Sequence, residues 1–184
     1  MGKARKRIVY VAALILVALL GPFVWSRMAS GSRRVMVRSH DSETKAAAAP
    51  NSQFRVACYN IAHGRGLAAD NWTNETITER TTRLDAIAGL LKTMDADVVA
   101  LNEVDFQCSW SHGVNQAEYL ADKAGYPYWS EERNLDFRVL NYTWRFGNAI
   151  LSRYPITKAE EVSFPAFQTW ENWLAGKKRG LHCQ

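Results

Sequence analysis

An α/β fold is predicted for residues 53–184, and three observations predict it. β-prone runs at residues 54–59 and 98–101 enclose a segment whose apolar residues recur at helical spacing. A second helical segment, residues 116–124, precedes another β-prone run at 146–152. Strand, helix, strand, helix, strand is the order of a sheet covered by its own connecting helices.

Each element has its own reason. The first run ends in Asn60, after which Gly64 and Gly66 open a loop, and its alternation turns Cys58 toward the core. From Thr76 onward Ile77, Leu84, Ile87, Leu90, Leu91 and Met94 fall on one helical stripe, with Arg80, Arg83 and Lys92 on other faces. Val98 to Leu101 is continuously apolar after Asp97, the pattern of a strand buried on both sides. Gly125, with Pro127 beyond it, stops the second helix. Residues 146–152 and 180–184 read as further strands, and the chain ends inside the last one without a closing turn.

Composition excludes several classes. A chain of 184 residues with 47% hydrophobic and 22% charged content has room for one core and is not disordered. Three cysteines, at 58, 108 and 183, make no dense disulfide framework. The net charge of +5 is uneven: residues 1–50 carry nine Lys/Arg against two Asp/Glu, and residues 51–184 carry fourteen against sixteen. The basic surplus belongs to the N-terminus. The domain itself is mildly acidic, which argues against a broad nucleic-acid-binding face.

Lys3, Arg5, Lys6 and Arg7 precede an apolar run over residues 8–25. As a helix those eighteen residues are about 27 Å long, near the thickness of a bilayer core. The expectation is a basic N-terminus (1–7), a single transmembrane anchor (8–25) and a flexible tether (26–52) leading to the domain (53–184). A cleaved signal peptide, with a poor processing site at Ala29-Ser30-Gly31, and a buried helix are the competing readings. The basic cluster favours a cytoplasmic N-terminus and an extracytoplasmic domain, so the expected location is a single-pass membrane protein. Pro50 ends any short helix in the Ala-rich end of the tether.

Asn60 and Glu103 each stand directly after a β-prone run. Strand ends of α/β sheets are where ligands commonly bind, although Asn also forms turns and a Glu can simply be solvated. Side by side, the two would place an amide and a carboxylate on one hard cation of the Mg²⁺ kind, which keeps waters and takes phosphate oxygens.

These residues also carry a resemblance. Phe54-Arg55-Val56-Ala57-Cys58-Tyr59-Asn60-Ile61-Ala62-His63-Gly64 is similar to the opening strand of the endonuclease/exonuclease/phosphatase family. Arg83-Leu84-Asp85-Ala86-Ile87-Ala88, followed by Asp95-Ala96-Asp97-Val98-Val99-Ala100-Leu101-Asn102-Glu103-Val104-Asp105, resembles its next helix and metal-binding strand end. The segments beginning at Gly113 and Phe146 resemble the following helix and strand. The resemblance implies the N-terminal half of a deoxyribonuclease-I-like four-layer αββα sandwich, and Mg²⁺- or Mn²⁺-dependent hydrolysis of phosphoesters. It implies Glu103 and Asn60 as metal-site residues, Asn148 near the substrate phosphate, and His63 in a direct or supporting role. The substrate it implies is a nucleic acid, a phospholipid headgroup or a small phosphoester.

The family's later motifs, a Thr-His strand end, Gly-Asp-x-Asn and a closing Asp-His pair, do not occur in this chain. The expectation is therefore a truncated domain with one sheet face uncovered, inactive alone and completed by a complementing C-terminal half. The rival expectation is a non-catalytic interaction half that needs a partner chain.

Other constellations carry less. Cys58, His63, Cys108 and His112 have no recognised zinc spacing. Phe167, Trp170 and Trp173 suit a short packed helix or a membrane-interface belt, and Lys177-Lys178-Arg179 a solvated basic turn. Asn71, Asn74 and Asn141 each head an N-x-Thr sequon. No phosphate-binding loop, nucleophile elbow or HExxH motif is present.

Overall fold

The computed structural model describes residues 2–30, 35–40, 53–72, 74–165 and 179–184. The Ala-rich end of the expected tether, the segment with Phe167, Trp170 and Trp173, and Lys177-Lys178 lie outside the described residues. The elements in order are α1 (Lys3–Ser30), β1 (Val35–Ser39), β2 (Val56–Asn60), α2 (Ile77–Met94), β3 (Val98–Asp105), α3 (Gln116–Ala124), β4 (Tyr128–Val139), β5 (Tyr142–Ser152), β6 (Ala159–Ser163) and β7 (Arg179–Cys183).

Five strands form one mixed sheet in the order β1-β4-β5-β3-β2, and β6 and β7 pair as a separate hairpin. β2 and β3 run parallel, joined by the α2 crossover, while β3–β5, β5–β4 and β4–β1 are antiparallel. The mixed α/β class predicted from the element order is what the chain adopts.

The helices form for legible reasons. Thr76 caps α2: its hydroxyl accepts from the Glu79 amide while the Glu79 carboxylate accepts from the Thr76 amide, a reciprocal capping box. Asn115 caps α3, and Gly125 ends it in the left-handed conformation that glycine adopts at little cost. Both helices bury apolar residues on one face of the sheet, although Ile77, Leu90 and Met94 of the expected α2 stripe are exposed. There Leu84, Ala88 and Leu91 of α2 and Ala117, Leu120 and Ala121 of α3 meet Val99, Leu101, Ala149 and Leu151. Tyr126 closes the layer, its hydroxyl donating to the Ala96 carbonyl at 2.9 Å.

Among the described residues the opposite face is covered only in part. The β6–β7 hairpin lies over β4 and β5: the Asn148 amide donates to the Arg179 carbonyl (3.1 Å), and the Arg179 amide donates to the Asn134 side chain (3.0 Å). On β2, by contrast, Val56 and Cys58 are exposed.

Several expectations need correction. Residues 35–39, placed in a flexible tether, form β1, an edge strand that pairs with β4 from Val35↔Glu132 to Ser39↔Tyr128. Cys58 points away from the helix-covered core, because Ala57 and Tyr59 take the inward positions of β2. Arg179, expected in a solvated turn, is buried and ion-paired with Glu161 at 3.2 Å.

The apolar run at the N-terminus is helical, as α1, with Ile8, Leu14, Leu16 and Leu19 exposed. Among the described residues, however, no helix is long and apolar enough to cross a membrane. The anchor expected over 8–25 therefore finds no support among them.

Candidate functional site

β2 and β3 end side by side, and this parallel pairing builds the site. Asn60 is in register with Asn102, and Asn102 in turn with Asn148 on β5. Between Asn102 and Val104 the β3–β5 register shifts, and Glu103 takes a left-handed backbone (φ 53°). A bulge of this kind re-aims a side chain that the pleat would have turned elsewhere. It brings Glu103 against Asn60, whose amide nitrogen donates to Glu103 Oε1 at 3.0 Å. The Asn60 carbonyl is itself fixed, accepting from the Ala62 amide at 2.8 Å. Glu103 keeps 46% of its side chain exposed, so one carboxylate oxygen is anchored and the group remains open to solvent.

A short left-handed turn follows β2. Ala62, His63 and Gly64 all have positive φ, at 48°, 58° and 67°. Two of the three are not glycine, and such backbone costs on the order of 1–3 kcal/mol per residue unless its surroundings hold it. They do. The His63 carbonyl accepts from the Gln116 side-chain amide (2.7 Å) and from the buried guanidinium of Arg80. A Cβ on Gly64 would stand 3.0 Å from Leu84 and 3.1 Å from Gln116, so the turn fits under α2 and α3 only with glycine there.

The turn carries the His63 ring into the site. Nδ1 lies 2.7 Å from Asp105 Oδ1, and Nε2 lies 3.7 Å from Glu103 Oε2. Asp105 is fully buried, and its other oxygen accepts from the Trp110 indole at 2.6 Å. A buried carboxylate with no charge partner is costly, so Nδ1 carries the proton toward Asp105. Trp110 and Phe146 meet the His63 ring edge-on, at 5.7 Å and 5.2 Å between centroids. Cys108 takes no part as a nucleophile: burial first, and the Asp105 charge after it, push its thiol far up. Cys58 lies apart, donating to Asn102 at 3.6 Å, so the two cysteines share no site.

Of the expected site residues, Asn60, Glu103 and His63 come together. Asn148 does not reach Glu103: its carbonyl accepts from Asn102 (2.9 Å), and its amide donates to the buried Glu132 (2.9 Å). It stands one strand beyond Asn102 in the same row, and two strand spacings put it about 10 Å from Asn60. Asp105, Gln116, Arg80 and Trp110 were not singled out by sequence. Asp105 had a signal, since it follows Glu103 by two in a strand, where side chains share a face. The other three hold the turn through contacts distant in sequence.

Among the described residues no three His, Cys, Asp or Glu side chains converge as a ready-made metal cage. The donors that do meet are the half-exposed Glu103 carboxylate, steadied by the Asn60 amide, and His63 Nε2. Such a sparse set fits a hydrated divalent cation that takes its remaining ligands from water and substrate.

A five-stranded mixed sheet with helices on one face, and polar side chains gathered at two parallel strand ends, defines an α/β protein with a strand-end site. A family model described as the endonuclease/exonuclease/phosphatase family matches residues 57–173, and the chain belongs to that family. The family generally acts on phosphoesters with divalent metal ions. No curated protein matches the chain. Among solved structures it is similar to an endonuclease/exonuclease/phosphatase from Beutenbergia cavernae, at 23% identity and a TM-score of 0.44, over 71% of this chain and 33% of that one. It is also similar to an endonuclease/exonuclease/phosphatase family protein from Leptotrichia buccalis, at 14% identity and a TM-score of 0.41, over 71% and 49%. The chain thus spans about a third to a half of the length of these two proteins.

Proposed function

We propose that the protein is a divalent-cation-dependent phosphoester hydrolase whose cation is held by Glu103, with Asn60 fixing the carboxylate. The observation that carries this reading is the Asn60–Glu103 hydrogen bond across two parallel strand ends, beside a backbone bulge that exposes the carboxylate. A bound Mg²⁺ or Mn²⁺ would there neutralise charge on phosphoryl oxygens. Glu103 supplies the anionic ligand, and Asn60 restricts its rotamer. In this reading Asn148, in the same row, donates to a phosphate oxygen after exchanging its contacts with Glu132 and the Arg179 carbonyl.

The sheet belongs, in this reading, to the N-terminal half of a four-layer sandwich, and the exposed side of β2 is where further layers pack. The near-balance of basic and acidic residues after position 50 favours a small phosphoester or a phospholipid headgroup over nucleic acid, whose binding needs many phosphate contacts from Lys and Arg. The exposed apolar side chains of α1 and the basic residues before them favour attachment at a membrane surface.

The test is hydrolysis of bis(p-nitrophenyl) phosphate with Mg²⁺ or Mn²⁺, comparing the protein with Glu103→Gln. The expected outcome is cation-dependent turnover that falls at least a hundredfold in the variant with its fold retained. An unaltered rate sinks the assignment. Cation binding at Glu103 without any turnover selects the second reading, a non-catalytic half that pairs with another chain, which the uncovered Val56 and Cys58 favour.

A further inference from the structure

The left-handed turn at Ala62–Gly64 is an expensive way to place one imidazole, and where it places Nε2 is informative. Nε2 and Glu103 Oε2 face one another at 3.7 Å, beyond hydrogen-bond range. Two donors bound to one cation at about 2.1 Å each lie between about 3.0 Å and 4.2 Å apart. The observed gap is of that size. The far side of the ring has the arrangement that fixes a ligating histidine: Nδ1–H donates to the buried carboxylate of Asp105, leaving the Nε2 lone pair directed at Glu103. Asp105 is held in turn by Trp110 and, through its backbone amide, by the Gln116 carbonyl at 3.0 Å.

We propose that His63 is a nitrogen ligand of the cation held by Glu103, positioned by Asp105, and that the site therefore gains more affinity for a first-row transition ion, Mn²⁺ among them, than for Mg²⁺. The inference rests on the reading of Glu103 as the carboxylate ligand. Its chemistry is general: imidazole suits Fe, Ni, Cu and Zn, Mn²⁺ is the first-row divalent ion that takes it least strongly, and Mg²⁺ is served by oxygen donors and water. Asp105 acts through His63 and is a positioning residue. A purely structural His63 would fill the same space, but it would leave the coordination of a bound ion and the ratio of its affinities unchanged.

The experiment is titration of the full chain with Mn²⁺ and separately with Mg²⁺, with electron spin-echo modulation recorded on the Mn²⁺-loaded protein. The expected result is directly coordinated nitrogen in the wild type. In His63→Asn, a residue that tolerates left-handed backbone, the nitrogen signal disappears; Mn²⁺ affinity falls about tenfold or more while Mg²⁺ affinity changes less than threefold. Asp105→Asn weakens Mn²⁺ in the same direction. Bound Mn²⁺ that depends on Glu103 but shows no nitrogen coupling overturns the inference and leaves the hydrolase reading standing. Bound Mn²⁺ that is indifferent to Glu103→Gln overturns the hydrolase site itself. The spectrum of the wild type needs no variant to fold, so the proposal stays decidable if His63→Asn does not.

Discussion

On the helix-covered side of the sheet, Val99, Leu101, Ala149 and Leu151 are buried in one apolar cluster with residues of α2 and α3. On the other side, the row that crosses the sheet at the same level reads Asn60, Asn102, Asn148 and Glu132, and Val56 and Cys58 beside it are exposed. The first face gains stability from apolar area removed from water. The second places polar side chains at these strand positions: Asn102 donates to Asn148, Asn148 donates to the buried Glu132, and Asn60 anchors Glu103 where the register breaks. The difference supports the proposed reading, in which the helix-covered face holds the fold and the strand ends of the other face hold the chemistry.

That contrast can be broken in measurable ways. The largest effect is expected from Leu101→Ala, which opens a cavity in the covered face and costs about 2–5 kcal/mol by denaturant unfolding. A loss below about 1 kcal/mol would mean that the covered face is not the core. Val56→Ser on the uncovered face, 66% exposed, is expected to stay within about 0.5 kcal/mol of the parent. A loss comparable to that of Leu101→Ala would show that another surface covers β2 in solution.

The smallest effect is expected at the edge of the sheet away from the site. There Asp95 accepts from Arg153 at 2.7 Å and from Arg55 at 2.5 Å. The hydrogen bond from Arg153 and then its charge, with Arg55 behind it, hold the Asp95 carboxyl below its ordinary value. A depressed folded-state value stabilises the protein above the unfolded-state value of about 3.9, and that stabilisation is lost as pH falls through the folded one. Asp95→Asn, which keeps the left-handed cap, is therefore expected to lower the unfolding midpoint slightly at pH 7. The difference should vanish in acid and shrink in high salt, because the group is exposed and screened. A difference that persists unchanged at pH 3 would assign the loss to something other than charge.

The covered face was legible in the sequence because it obeys periodicity. Leu84, Ala88 and Leu91 recur at helical spacing, and Val98 to Leu101 is an apolar run. β4 was not legible, since Ser130-Glu131-Glu132-Arg133 looks like a solvated loop. The structure buries all four, pairing Glu131 with Asn115 (2.7 Å) and Glu132 with Asn148. β1 was hidden for a related reason: an edge strand of five residues needs only a partner's backbone, which no local pattern announces. In the site, Asn60 and Glu103 were legible from position and resemblance. The bulge at Glu103, the turn at His63 and the support from Asp105, Arg80 and Gln116 were not, because each depends on contacts between segments far apart in sequence.

The central claim is that Glu103, held by Asn60 at the paired ends of β2 and β3, binds a divalent cation. Calorimetric titration of Mn²⁺ into the protein and into Glu103→Gln, with thermal unfolding run on both, tests it most directly. The account predicts one saturable site in the parent, at least tenfold weaker binding in the variant, and unfolding midpoints that agree in the absence of metal. Equal binding by the two proteins would contradict it.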